Sequence, residues 1–470
     1  MFKPKIYFIV ALIISLLSQQ AVAQEVAPLE KVQLNLKETL EFALENNVDA
    51  KNARLEILIS KGVVGENRAA GLPQINSTLE MTKNVQPPLL ILPAEAGGII
   101  PDDGSGGGGS PDTPDDITVI PFAVNYQSSL SINVEQMIFN GSYFVGLKAA
   151  KTLKTLTEFD KIKTENDVLE NVKKAYFTVL VNDERRKLVE ANLTRTNALL
   201  RETEAMYEAG FVEKLDVSRI KVQSNNLKTE LEKNEVAVAV SKELLKLNMG
   251  LPESIEIELT QDLSSLSNEA EILKMLSQSN TNRVEVDQVI TNRDLAKLDL
   301  KNNQIQYMPQ ISAFGTFQRV SGAENMGSIF QSDRWFSSSF VGLRMSIPIF
   351  DGLNKSFRIQ QSRLKVNQLE NQLFFMEQNV ALELFQARKM LQNSLRTLVV
   401  QEENMELARE VFEMTKIKYN EGVGSNLEVV EANSTLEEAE SNYFSALYDA
   451  LIAKVDLEKA LGILQEGLID

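Results

Sequence analysis

Apolar positions in this chain follow two periods. Leu373, Met376, Val380, Leu384, Ala387, Leu391, Leu395 and Leu398 recur at spacings of three or four, a helical stripe near the coiled-coil repeat. No proline falls between Gly141 and Gly210 or between Gly352 and Gly422. About 65 helical residues at 1.5 Å each span roughly 100 Å, too long for the interior of a compact domain. The second period is two. Leu130, Ile132 and Val134 alternate with Ser131, Asn133 and Glu135, and Val341, Leu343, Met345, Ile347 and Ile349 alternate with Gly342, Arg344, Ser346 and Pro348. Weaker alternation marks Ile75 to Met81 and Ile311 to Phe317. Such strands suit either a membrane barrel or a soluble sandwich.

The pattern is written twice. Ile138-Phe139-Asn140-Gly141 returns as Ile349-Phe350-Asp351-Gly352 at an offset of 211. Tyr207-Glu208-Ala209-Gly210 returns as Tyr419-Asn420-Glu421-Gly422 at 212, as do Leu215-Asp216-Val217 (Leu427-Glu428-Val429) and Leu247 to Gly250 (Lys459 to Gly462). Upstream, Leu72-Pro73-Gln74-Ile75 matches Met308-Pro309-Gln310-Ile311 at 236, so the first copy holds about 25 extra residues, in a stretch rich in Pro, Gly, Asp and Ser. The domains expected are a signal segment 1–23, a first repeat 24–250, a linker 251–281 and a second repeat 282–470. The first repeat holds strands at about 73–83 and 126–139 with a surface loop 84–120. The second holds strands at about 309–319 and 336–350, a long helix 353–421 and a return helix 427–461.

Composition narrows the chemistry. Lys3 and Lys5, the apolar run Ile6 to Leu17 and Ala21-Val22-Ala23 read as a secretory signal. No later stretch is long and apolar enough for a membrane helix, so a later crossing would use strands. The chain has no Cys and no His, which removes disulfides, Cys nucleophiles, His bases and nearly all zinc and haem sites. No catalytic, cofactor or metal residues are assigned. The formal charge of −17 argues against nucleic acid and for a surface or lumen that favours cations. Four strands per chain cannot close a barrel, whereas three chains would supply twelve.

The residues now in view resemble the TolC-like outer membrane efflux proteins. The resemblance rests on Leu34-x-Leu36-x-Glu38-x-Leu40-x-x-Ala43-Leu44-x-Asn46-Asn47, the paired Pro-Gln strands, the Ile-Phe-Asn/Asp-Gly openings of the long helices and the two Tyr-x-x-Gly turns. It covers essentially the whole chain after the signal. It implies a mainly α fold with membrane β-strands: a homotrimer whose twelve-stranded outer-membrane barrel, four strands from each chain, continues into a long periplasmic helical barrel. It further implies a passive duct, embedded in outer-membrane lipid, that docks a periplasmic adaptor and an inner-membrane pump of RND, ABC or MFS type. A trimeric coiled-coil stalk or adhesin without a pore is the competing reading.

The resemblance also assigns sites. Glu428 and Glu431 match the acidic pair at the periplasmic aperture, with Tyr419 in the closing network. Read from the sequence alone, the two acids are a favourable first helical turn with Asn426 as cap, and it is the resemblance that moves them to the aperture. In the first copy Asp216 aligns with Glu428, but Arg219 aligns with Glu431, and Arg219 or Lys214 is expected to pair with Asp216 or a neighbouring acid. Gly424 stands where the best-known type of family member has an Arg of that network. The hairpin tips expected to meet the adaptor are Gly210, Phe211, Val212, Leu215, Gly422, Val423, Gly424 and Leu427. Trp335, Phe336 and Tyr126 suit an interfacial aromatic belt.

Overall fold

A computed structural model of the chain describes residues 31–86, 89–93, 117–121, 124–261, 269–278, 281 and 283–465. The signal segment and most of the 84–120 loop lie outside the described residues. Contacts divide the chain into two compact units, one built from residues 1–50, 166–280 and 386–470, the other from 51–165 and 281–385. Each unit draws on both sequence copies.

In the second unit, β2 (Gln74–Lys83), β5 (Tyr126–Phe139), β7 (Gln310–Ala323) and β8 (Trp335–Ser346) form an antiparallel sheet in the order β2-β5-β7-β8. The sheet is open, with β2 and β8 at its edges. Its register sorts side chains by chemistry. Ile75, Val134, Gly315 and Val341 align across it, as do Ser77, Ile132 and Phe317. This face also carries Leu79, Leu130, Ala313, Leu343 and Met345. The opposite face carries Asn76, Asn133 and Thr316, whose hydroxyl donates to Asn133 Oδ1 (2.9 Å), with Glu80, Ser131, Glu135 and Gln318, and among them the rings of Phe314, Phe336 and Phe340. One mainly apolar and one mainly polar face is the pattern of a barrel wall between lipid and water. The apolar side chains are largely solvent-exposed in the single chain, Ile75 at 68% and Val341 at 88%. A shorter ribbon, β3 (Leu89–Pro93) with β4 (Ile117–Pro121), forms where the loop 84–120 is expected and ends one residue past it.

The last strand ends at Ser346, four residues short of the expected end at 350. Pro348 has no N–H to donate, and Gly352 and Leu353 both adopt φ of +68°, so the chain turns before the long helix that starts at Asn354. The matched motif in the first copy behaves differently. Gly141 is itself the first residue of the long helix Gly141–Glu208, and a Cβ there would lie 2.6 Å from Ile305 Cγ1. One sequence motif thus opens two helices by different geometries.

The helices are α1 (Leu36–Asn46), α2 (Val48–Ala69), α3 (Gly141–Glu208), α4 (Lys214–Met249), α5 (Glu269–Ser277), α6 (Val284–Ile305), α7 (Asn354–Asn420) and α8 (Asn426–Leu461). α3 and α7 run unbroken for 68 and 67 residues. All eight residues of the Leu373–Leu398 stripe are buried or half-buried. No described helix is long and apolar enough to cross a membrane.

In the first unit, β1 (Lys31–Leu34) pairs in parallel with β6 (Glu256–Leu259). Around them Leu40, Ala43, Leu169, Val172, Tyr176, Leu245, Met249, Ile257 and Val455 form one core. Burial, with the nearby Glu38 carboxylate, pushes the Tyr176 hydroxyl up to about 12. A lattice of ion pairs ties α3 to α8 beside this core: Lys173 to Glu458 (2.6 Å), Lys174 to Asp456 (2.6 Å) and Lys459 to Glu170 (2.7 Å).

Candidate functional site: the helical hairpin tips

Each hairpin turns on a glycine. Gly210 (φ +82°) and Gly422 (φ +75°) donate to Tyr207 O and Tyr419 O, both at 3.0 Å. The next residues, Phe211 and Val423, reach back five positions to Met206 O (2.9 Å) and Lys418 O (3.0 Å). This is the Schellman arrangement, and only a left-handed residue closes it. The far ends of α4 and α8 repeat it at Gly250 and Gly462. The duplication therefore holds at the level of single backbone hydrogen bonds.

The two tips then diverge. In the second, Gly424 also donates to Lys418 O (3.1 Å), and a Cβ at 424 would meet Tyr419 N at 3.0 Å and Lys418 C at 3.2 Å. Any larger residue, Arg included, would press on the end of α7. Ser425, not Asn426, caps α8: its hydroxyl accepts from Glu428 N (3.3 Å). Asn426 instead turns inward. It is 5% exposed, and neither polar atom of its amide has a partner among the described residues. Tyr419 is likewise buried with an unpartnered hydroxyl.

Glu428 and Glu431 are exposed on the first turns of α8. In the first copy Arg219 Nη1 lies 3.6 Å from Asp216 Oδ1, so the expected pair forms, but within one helix turn. Asp216 Oδ2 also accepts from Glu213 N (3.3 Å), and Lys214 is exposed. Phe211, Leu215, Val423 and Leu427 are exposed and Val212 half-buried, giving each tip an apolar surface.

One feature escaped sequence reading. Asn426, Asn433 and Glu440 recur every seven residues and are all buried, whereas their counterparts at an offset of 212, Lys214, Lys221 and Lys228, are all exposed. Glu440 Oε2 accepts from Asn192 Nδ2 (2.8 Å), and Asn192 Oδ1 accepts from Arg195 Nη2 (2.8 Å). The Arg195 guanidinium lies 4.8 Å from the Phe412 ring centroid, and Arg409 Nη2 is 3.9 Å from Glu440 Oε1. Gln223 Nε2 and Asn433 Nδ2 each donate to Glu437 (2.6 Å). Burial pushes the Glu437 carboxyl above its ordinary range, although both hydrogen bonds oppose the rise. The signal lay in the register: Glu440 falls beside the apolar stripe Val429, Ala432, Leu436 and Ala439.

This architecture has solved counterparts. A crystal structure of CusC superposes with a TM-score of 0.69 at 16% identity, covering 94% of this chain and 95% of that one. VceC from Vibrio cholerae gives 0.67 at 16% identity, covering 91% and 96%. In sequence, the outer membrane protein TolC of Escherichia coli strain K12 is 21% identical over 357 residues, 72% of this chain and 70% of that protein. The alkaline protease secretion protein AprF of Pseudomonas aeruginosa is 22% identical over 356 residues, 73% and 71%. TolC and VceC are outer membrane proteins, CusC forms a transmembrane channel and AprF is a secretion protein, and the stalk reading draws no support from them. The profile of outer membrane efflux proteins matches residues 39–250 and 275–463, one segment per repeat, and the chain belongs to that family.

Proposed function

We propose that this outer-membrane efflux channel works as a homotrimer, without chemistry of its own, that receives cargo from an inner-membrane pump through a periplasmic adaptor. The open four-stranded sheet carries this reading. Its edge strands β2 and β8 have unpaired backbone groups, which lipid does not tolerate, and three copies supply the twelve strands of a closed barrel. Within that reading 24–250 and 282–470 act as the two repeats and 251–281 as an equatorial linker. Single-channel recording of the purified protein in planar bilayers, with cross-linking to count subunits, tests it. Stable conductance from a cross-linked trimer supports the proposal; a monomer with no pore overturns it.

The tips serve as the gate and the adaptor contact. In a trimer, Glu428 and Glu431 set six carboxylates around one axis, where they attract cations. Replacing both by Gln is expected to lower the K+ over Cl− permeability ratio on the order of tenfold, read from reversal potentials in a KCl gradient. An unchanged ratio would remove these residues from the pore. Arg219→Glu is expected to raise conductance by loosening the tip. The Arg219–Asp216 pair is partly exposed and worth about 1 kcal/mol at most, so the open fraction should change by no more than about fivefold. Identical conductance in the variant would show that the pair has no part in closure.

A further inference from the structure

The apolar face of the sheet carries two charged residues among its described strand positions, Lys83 and Arg319. Both are cations, in a chain of net charge −17. Both lie toward one end. β2 and β7 leave α2 and α6 and run outward, while β5 and β8 return toward α3 and α7, so Lys83, Tyr126, Arg319 and Trp335 all sit toward the helix-distal end. Each cation lies against an aromatic ring of the same face. Lys83 Nζ is 5.7 Å from the Tyr126 ring centroid and Arg319 Cζ is 5.8 Å from that of Trp335. The Arg319 Nε is buried without a hydrogen-bond partner among the described residues. Phe336, by contrast, falls on the polar face.

A cation held against a ring keeps N–H donors free for another acceptor. The neighbouring acid Glu324 is engaged by Asn125 Nδ2 (2.6 Å). Beside the pairs, the 3₁₀ turn Met326–Phe330 folds onto the sheet, where Ser321 donates to Ile329 O (3.1 Å), and it presents Met326 and Phe330 outward. Cations, aromatic rings and outward apolar side chains toward one end of the sheet, with Arg319 four residues deeper along the strands than Lys83, fit the boundary between acyl chains and anionic headgroups, which a long cationic side chain can reach from below.

We propose that Lys83 and Arg319 bind the phosphate groups of the outer-leaflet glycolipid, with Tyr126 and Trp335 holding each cation at headgroup height. The proposal rests on the channel reading, which sets the helix-distal end at the outer leaflet. By sheet spacing the two Cα atoms are about 16 Å apart, too far for one phosphate to bridge, so a headgroup with more than one phosphate suits them best.

Trp335 is the single tryptophan of the chain, so intrinsic fluorescence reports this site directly. The purified full-length channel in neutral detergent is titrated with lipid A, phosphatidylglycerol or phosphatidylcholine. Saturable change in Trp335 emission is expected with lipid A, weaker change with phosphatidylglycerol and none with phosphatidylcholine. Lys83→Gln with Arg319→Gln should weaken the apparent lipid A affinity about tenfold, the lower range for losing charge-assisted hydrogen bonds, and Lys83→Arg with Arg319→Lys should restore most of it. Equal response to all three lipids, equal affinity for lipid A and phosphatidylglycerol, or full affinity in the Gln variant overturns the proposal. Conductance recorded on the same preparation separates that outcome from failure of the channel reading.

Discussion

Replacing Glu440 by Ala is expected to lower the thermal midpoint of the channel's helical signal by several degrees. Glu440 is 1% exposed, holds Asn192 by a 2.8 Å hydrogen bond and lies 3.9 Å from the Arg409 guanidinium, while Arg195 donates to the other side of the Asn192 amide. Its removal leaves the buried Asn192 amide without its acceptor beside Leu199, Phe412 and Leu436, at a cost of roughly 2 kcal/mol. Glu440→Gln keeps an acceptor for Asn192 and should cost less. One helical turn away the sign reverses. Burial raises the Glu437 carboxyl above the ordinary 4.5, so the folded state holds that proton more tightly than the unfolded chain does. Ionising Glu437 therefore destabilises the fold, and stability falls as pH rises from 4.5 through the folded-state value. Glu437→Gln should remove that loss and match or exceed the parent at pH 7, while showing no gain at pH 4. Melting followed by circular dichroism at both pH values checks the pair. If Glu440→Ala melts with the parent, the buried network is not holding these helices together.

What the sequence disclosed and what it hid follow from physical causes. The long helices were legible because a stripe from Leu373 to Leu398 leaves no other period for the chain to obey. All four sheet strands were legible to within a residue at their starts and two of them throughout, because a wall between lipid and water enforces alternation. β7 runs four residues further than the weak alternation of its far end disclosed, out to Ala323. Features depending on distant partners stayed hidden. β1 is four residues long and exists through its parallel pairing with β6, more than two hundred positions away. Asn426 looked like a helix cap because cap residues are recognised by type, yet its neighbour Ser425 takes that role while Asn426 is buried. The repeat itself misleads where the copies diverge in environment. Lys214, Lys221 and Lys228 against Asn426, Asn433 and Glu440 look like surface drift until burial shows that one set lies inside.

The repeat also yields a prediction in which equal backbone geometry gives unequal consequences. Gly210 and Gly250 end successive helices with φ of +82° and +75° and the same pair of returning hydrogen bonds. Around Gly210 nothing lies within 4 Å of an added Cβ, so Gly210→Ala should carry only the left-handed backbone cost of about 1–2 kcal/mol. At Gly250 an added Cβ would stand 2.5 Å from Asn46 O, 2.8 Å from Asn46 C and 3.1 Å from Asn47 Cα. Those atoms are backbone at the break between α1 and α2, and they cannot swing aside as a side chain would. Asn47 Nδ2 donates to Asn248 O (2.8 Å), and Asn47 Oδ1 accepts from Asp49 N (2.8 Å), so the break is fixed from both sides. Gly250→Ala must therefore displace α1 from α4 or unwind the end of α4. Overpacking of roughly 1–3 kcal/mol adds to the backbone cost. The expected result is a total of about 2–5 kcal/mol, against about 1–2 kcal/mol at Gly210. Denaturant melts of the two variants side by side give the comparison. Protease sensitivity near Asn47 should rise only in Gly250→Ala. Equal losses would mean that the Asn46–Asn47 backbone yields freely and that α1 is not locked to α4.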